Sequence, residues 1–100
     1  MVQIEQIHLA SGCAQGMLIA SPGGEGHPNM IIIECKKGYL MCGYLNIAAA
    51  EKFHDAAVLV GGAGINEVLA NPIKGMTEEA KALGVREGMT GRQAAEILNQ

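Results

Sequence analysis

The stretch Asn29–Asn46, NMIIIECKKGYLMCGYLN, decides how this chain is read. Two apolar runs, Met30–Ile33 and Leu40–Leu45, flank a polar break at Glu34–Gly38. Large and β-branched apolar residues on both arms, with Lys36-Lys37-Gly38 at the tip, predict a β-hairpin. Gly38 stands where a short hairpin loop often uses a left-handed residue. Strand side chains alternate between two faces. On the first arm Ile31 and Ile33 oppose Met30 and Ile32; on the second, Leu40, Cys42 and Tyr44 oppose Met41, Gly43 and Leu45. Neither face is polar, so both must be covered. A wet face would forfeit several kcal/mol, because each large apolar side chain gains about 1.5–3 kcal/mol on full burial.

The totals narrow the class of protein. One hundred residues make a single domain, 1–100. About half are apolar but mostly small, with no Trp, one Phe and two Tyr. A stacking platform for single-stranded nucleic acid needs exposed aromatics and a basic groove. Here the net charge is −3 and seven basic residues are scattered, so no nucleic-acid partner is expected. No apolar run approaches the roughly 18 residues of a membrane span, so no membrane partner is expected either. MVQIEQIHLA lacks the basic start and apolar core of a signal peptide. Three cysteines without a CxxC spacing read as reduced thiols, and a cytoplasmic location is expected.

Upstream of the hairpin, Val2 and Ile4 alternate with Gln3 and Glu5, while Ile7 and Leu9 continue on the opposite parity. That predicts a strand Val2–Ala10 with a bulge or bend near Gln6. Ser11-Gly12 and Gln15-Gly16 read as turns, Met17–Ala20 as a strand and Ser21–Asn29 as a loop. Downstream, Asn46 N-caps a helix Ile47–His54 with Ile47, Ala50 and Phe53 inward. Ala56–Val60 is a strand, Gly61–Gly64 a tight turn, and Ile65–Ala70 a helix ended by Asn71-Pro72. Thr77 caps another short helix that Gly84 stops. Thr90-Gly91-Arg92-Gln93 fits a capping box before a last helix burying Ala94, Ile97 and Leu98.

Strands first and helices later predict an α+β fold, with a mainly antiparallel sheet, the hairpin 30–45 at its centre and helices packed on one face. The hairpin's second apolar face then needs another cover. A second copy of the chain is expected there, making a homo-oligomer. The plainer alternative folds Ser21–Asn29 and the N-terminal strands back over it.

Cys42, in Met41-Cys42-Gly43, is the candidate catalytic residue. A reactive cysteine needs a nearby His, Lys, Arg or helix N-terminus to stabilise its thiolate, and Asn46 opens a helix four residues on. The plainer reading is a buried cysteine acting as a small hydrophobe. His8, His27 and His54 have no ligand spacing with the cysteines, no HxxxH or HExxH occurs, and no metal or cofactor is expected. His54 near a helix C-terminus is accounted for as a favourable charge. Gly61-Gly62-Ala63-Gly64 lies between strand and helix but is neither GxGxxG nor a P-loop, and reads as a sharp turn.

Several short blocks in order, Gly38-Tyr39-Leu40-Met41-Cys42-Gly43, Ile65-Asn66-Glu67-Val68-Leu69-Ala70-Asn71-Pro72, and Leu83-Gly84-Val85-Arg86-Glu87-Gly88-Met89-Thr90-Gly91-Arg92, resemble the YunC-like family of small bacterial and archaeal proteins. The likeness runs from Gly38 to Leu98 and is weaker in the first third. It implies a two-layer α/β sandwich and no known activity, so no catalytic residue carries over. Gly43 and the block Met89, Thr90, Gly91 and Arg92 fall on the shared pattern and are the candidate ligand-binding residues. One departure is Ala63-Gly64, where the family's pattern has a basic-hydroxyl pair. The expected function is a self-associating, non-enzymatic module for a small-molecule ligand or a protein partner; the rival is an enzyme using Cys42 with a histidine or Arg92.

Overall fold

The computed structural model describes residues 1–100. Strands β1 (Val2–Leu9), β2 (Gly12–Ile19), β3 (Met30–Glu34), β4 (Tyr39–Met41), β5 (Ala57–Leu59) and β6 (Gly75–Met76) form one sheet in sequence order. Helices α1 (Ile47–Lys52), α2 (Ile65–Ala70), α3 (Glu78–Leu83) and α4 (Gly91–Leu98) complete an α+β fold. Every neighbouring pair of strands is antiparallel except β4 and β5, which are parallel. The expected hairpin, β3–β4, occupies the middle of the sheet.

Alternation divides the sheet's side chains as the hairpin requires. Ile31, Ile33, Leu40, Val58 and Val60 are buried on one face, in one core with Val68 and Leu69 of α2, Ala80 of α3, and Ala94 and Leu98 of α4. Met41 and Ala57 point the other way and are buried against Ala50 of α1, with Leu45, Ile47 and Leu59 around them. Three helices therefore share one face, while α1 crosses to the other. It crosses because parallel neighbours need a long connection and because Met41 and Ala57 need a cover.

Several boundaries differ from expectation. The β1–β2 ladder runs one to one from Val2↔Ile19 to Leu9↔Gly12, so no bulge occurs at Gln6. The parity change is a change of face: Ile7 and Leu9 enter the main core, while Val2 and Ile4 stand exposed on the second face. Gln15-Gly16 lies inside β2. The hairpin's second arm stops at Met41, and the Leu45 N–H donates to the Cys42 carbonyl (3.1 Å) to close a turn. Gly38 is needed for closeness rather than for a left-handed φ, since a Cβ there would run into the Ala56 carbonyl. Helix α1 ends at Lys52 in a Schellman turn: the Asp55 N–H reaches the Ala50 carbonyl (2.9 Å), the His54 N–H reaches Glu51 (3.1 Å), and His54 takes φ 60°. That turns Phe53 outward, 71% exposed, where an inward position was expected. Strand β6 has only two residues and left no pattern to read.

The end of α4 ties the two hairpin turns together. The Leu98 carbonyl accepts from the Lys37 N–H (2.8 Å). Buried Asn99 accepts from the Lys36 N–H through Oδ1 (3.0 Å) and donates from Nδ2 to the Cys13 carbonyl (3.3 Å). Both Glu96 oxygens accept from the β1–β2 turn, at Ala10 N–H (2.7 Å) and Ser11 N–H (2.9 Å). The Ala10 hydrogen bond first, then those of Ser11, holds the Glu96 carboxyl below its usual range.

Asn99→Ala orphans a donor on one turn and an acceptor on the other. At about 0.5–1.5 kcal/mol per lost hydrogen bond, a loss of about 1–3 kcal/mol is expected, read as a fall in Tm by calorimetry. Because the Glu96 pKa is depressed in the fold, its contribution is complete above the free carboxyl's range and lost as pH falls through the folded value. Glu96→Gln is therefore expected to flatten part of the acid-unfolding curve, and an unchanged curve would count against the latch.

Candidate functional site

Parallel pairing sets the C-terminal ends of β4 and β5 side by side, in the register Met41↔Leu59. From there the chain departs in opposite directions. After β4 it turns through Gly43-Tyr44-Leu45 into α1 on the second face; after β5 it turns through Gly61–Gly64 into α2 on the first. Divergence of this kind opens a crevice beyond the carboxyl ends of parallel strands. The crevice has a volume of about 330 Å³ and is lined by Pro28, Asn29, Cys42, Gly43, Tyr44, Gly61 and Gly62. That size lies at the small end of ligand sites, which run from about 300 Å³ upward.

Side-chain amides brace its walls. Asn29 accepts from the Ser21 N–H through Oδ1 (3.0 Å) and donates from Nδ2 to the Ala63 carbonyl (2.8 Å), so the Ser21–Asn29 loop is stitched to the glycine turn. Asn71, the C-cap of α2, donates from Nδ2 to the Gly61 carbonyl (2.8 Å). Glu67 accepts from the Ala63 N–H (3.0 Å). Gly62 has φ 156°, and a Cβ there would press on the Val68 nitrogen and Glu67 Cβ at 3.0 and 3.1 Å. The N–H groups of Gly43, Tyr44, Gly61 and Gly62, four of the lining residues, find no acceptor in the protein. Cys42 is buried, and its Sγ accepts from the Ile31 N–H at 3.3 Å. The lining thus supplies backbone donors, one thiol and one phenol, with no carboxylate or imidazole side chain.

Cys42 and Gly43, singled out in the sequence, meet in this crevice. Met89, Thr90, Gly91 and Arg92 do not line it. They open α4: Thr90 Oγ1 accepts from the Gln93 N–H (3.2 Å), Gln93 Oε1 accepts from the Thr90 N–H (2.9 Å), and Met89 accepts from the Ile73 N–H (2.9 Å). Gly91 is buried where a Cβ would collide with the Val68 carbonyl, and Arg92 is exposed. One residue links the two blocks. Asn71, whose side chain holds Gly61, accepts from the Gly91 N–H through its carbonyl (2.9 Å). Sequence reading missed Pro28, Asn29 and Tyr44, and took Gly61-Gly62 for a turn alone. Their only signal was a glycine turn between strand and helix, which becomes informative once β4 is known to run parallel beside it.

Other polar groups lie elsewhere. A second depression, about 350 Å³, includes Cys13, Cys35, Lys36 and Asn99, but its amide is already engaged by the two turns. Burial first, then Glu34 and Glu96, pushes the Cys35 thiol up to about 11. At the far end of the parallel pair Tyr39 donates to Asp55 Oδ2 (2.7 Å), and burial, reinforced by that carboxylate, pushes the phenol up to about 12. His8 Nδ1 lies 3.7 Å from Cys13 Sγ across β1–β2, on the exposed surface.

A family model described as "Domain of unknown function (DUF1805)" matches residues 41–98, which take in Cys42, the glycine turn and the start of α4. The uncharacterised protein YunC of Bacillus subtilis is 34% identical over 71 residues, covering 66% of this chain and 70% of its relative. The chain belongs to the YunC-like family. A crystal structure of a protein of unknown function, TA1206 from Thermoplasma acidophilum, superposes with a TM-score of 0.86 at 29% identity, covering 98% of this chain and 93% of that one. The fold is therefore shared along almost the whole chain, and the family's members matched here are themselves uncharacterised.

Two outcomes follow from this geometry. Gly91→Ala drives a Cβ into the Val68 carbonyl of α2 and is expected to cost at least about 1–3 kcal/mol in denaturant unfolding. Alkylation of folded protein near neutral pH is expected to modify exposed Cys13 and spare Cys35, with peptide mass mapping as the readout.

Proposed function

We propose that this YunC-like chain is a small-ligand-binding module, cytoplasmic and self-associating, with its site in the crevice between the β4 and β5 carboxyl ends. The observation that carries the reading is the set of four free N–H groups, at Gly43, Tyr44, Gly61 and Gly62, around one cavity at a point where adjacent strands send their helices to opposite faces. Free donors of this kind suit a ligand bearing oxygen acceptors, such as a small carboxylic acid or amide, while the Tyr44 ring and Pro28 flank its apolar part. No helix of the chain is long and apolar enough to cross a membrane.

The test is an amide-resolved NMR titration with a fragment library of small carboxylates and amides. Shifts are expected to cluster at Gly43, Tyr44, Gly61 and Gly62. A Gly43 Cβ would meet no atom within 4 Å, so Gly43→Leu fills the mouth without disturbing the fold and is expected to weaken binding at least tenfold. Fragments that bind equally well to that variant, or that shift amides elsewhere, would overturn the reading.

A second reading, an enzyme with Cys42 as nucleophile, rests on the thiol's place in the crevice wall. It requires Cys42 to alkylate faster than Cys13 at neutral pH, whereas the module reading expects Cys42 to label slowly behind its Ile31 hydrogen bond.

A further inference from the structure

Gly61, in the crevice wall, has a neighbour besides Asn71. A Cβ on Gly61 would meet Lys74 Nζ at 2.9 Å and Cε at 3.2 Å, so the lysine lies across the glycine and brings its ammonium to the crevice rim. The backbone carries it there. Strands β5 and β6 pair in the register Leu59↔Gly75, and the Lys74 N–H donates to the Leu59 carbonyl (2.7 Å), which sets Lys74 beside the carboxyl end of β5. One residue earlier, the Ile73 N–H donates to the Met89 carbonyl (2.9 Å) and holds the same segment from its other side. Any side chain at position 61 would compete with the lysine for its place.

This ammonium has no counter-charge. The chain's one ion pair joins Lys81 and Glu78. Glu87 borders a neighbouring depression with Lys74 and Lys81 but forms no ion pair with either. Glu67, across the glycine turn, spends its carboxylate on the Ala63 N–H (3.0 Å). The crevice is also poor in acceptors. Both ends of the Asn29 amide are engaged, the Gly61 carbonyl already takes the Asn71 amide, and Cys42 Sγ takes the Ile31 N–H.

We propose that Lys74 is the charge-selecting residue of the crevice, and that the ligand taken there is a small carboxylate rather than a neutral amide. The proposal rests on the ligand reading given above and narrows it. An ionised carboxyl offers acceptors only, whereas a primary amide also brings two donors that need partners. Against a lining of unpaired N–H groups those donors meet few acceptors, and an unsatisfied donor is costly. The carboxylate gains the attraction of Lys74 as well. A lysine acts as a point charge on a flexible stem, so it selects for charge at the rim without fixing a bidentate geometry. One unpaired ammonium matches one negative charge.

The experiment is an amide-resolved NMR titration of the full chain with benzoate and benzamide, on the unaltered protein, Lys74→Gln and Lys74→Arg. Lys74 is exposed, so both variants should keep the fold, read as unchanged amide shifts away from residues 59–62 and 73–76. Benzoate is expected to bind about tenfold more tightly than benzamide, a difference of about 1.4 kcal/mol. Lys74→Gln is expected to abolish that preference by weakening benzoate alone, and Lys74→Arg to keep it. Equal affinity for acid and amide, or a preference that survives Lys74→Gln, overturns the role of Lys74. The ligand reading would then still stand, because shifts at Gly43, Tyr44, Gly61 and Gly62 report it separately. Inorganic phosphate binding more tightly than benzoate overturns the carboxylate class. No shift at those four amides with either compound overturns the ligand reading and this proposal with it.

Discussion

The parallel pairing of β4 with β5 is the constraint on which the rest of the molecule turns. In an otherwise antiparallel sheet it forces a crossover, and α1 is that crossover. Met41 and Ala57 project to the face that α2–α4 cannot reach, so the crossover packs there. The next connection, after β5, leads to α2 on the opposite face. The crevice is the gap between the two departures. A β4–β5 hairpin in place of the crossover would have removed the crevice and the second-face helix together.

That arrangement is stabilised by polar groups placed at its seams rather than in its centre. Buried Thr77 shows the economy of this: Oγ1 accepts from the Ala57 N–H (3.0 Å), donates to the Asp55 carbonyl (2.7 Å), and accepts from the Ala80 N–H at the start of α3 (3.3 Å). One hydroxyl thereby fixes where β5 begins and where α3 starts. Asn99 performs the same service between the two hairpin turns, and Asn71 between the crevice and α4. Left unsatisfied, such groups would each cost about 1–3 kcal/mol, so they specify registry as well as stabilise it.

Much of the fold was legible because it is written in local chemistry. Asn46, Thr77 and Thr90 cap the helices they were expected to cap, and Gly84 stops α3 in a left-handed conformation. The doubly apolar hairpin announced that both faces needed covering. What could not be read was which element would do it, because six-residue helices carry too little pattern to declare a face, and Phe53 at the end of α1 even pointed the wrong way. The parity change at Gln6 was ambiguous for a related reason. A bulge and an uninterrupted strand with apolar residues on both faces produce the same letters, and only the ladder Gln6↔Gln15 separates them. The Gly-Met-Thr-Gly-Arg block was a candidate because it falls on the pattern shared with the YunC-like family. Its glycine answers to the Val68 carbonyl and its threonine to a helix cap, so packing accounts for most of the pattern.

The crevice itself was nearly silent in the sequence, and the reason is physical. Catalytic motifs are recognisable because side chains of particular types must stand at particular spacings. A site built from backbone N–H groups makes no such demand, since every residue except proline carries that donor. It asks only that chain segments approach closely and leave their amides unpaired, which favours glycine, as at Gly43, Gly61 and Gly62, and amide side chains that hold the loops, as at Asn29 and Asn71. In a sequence these residues are indistinguishable from turn formers. They line a crevice only when the order of the strands places Gly43 and Gly61 on neighbouring, parallel ends. Main-chain donors thus leave their trace in topology rather than in residue type, and a chain with no catalytic signature can still bring unpaired amides together around one crevice.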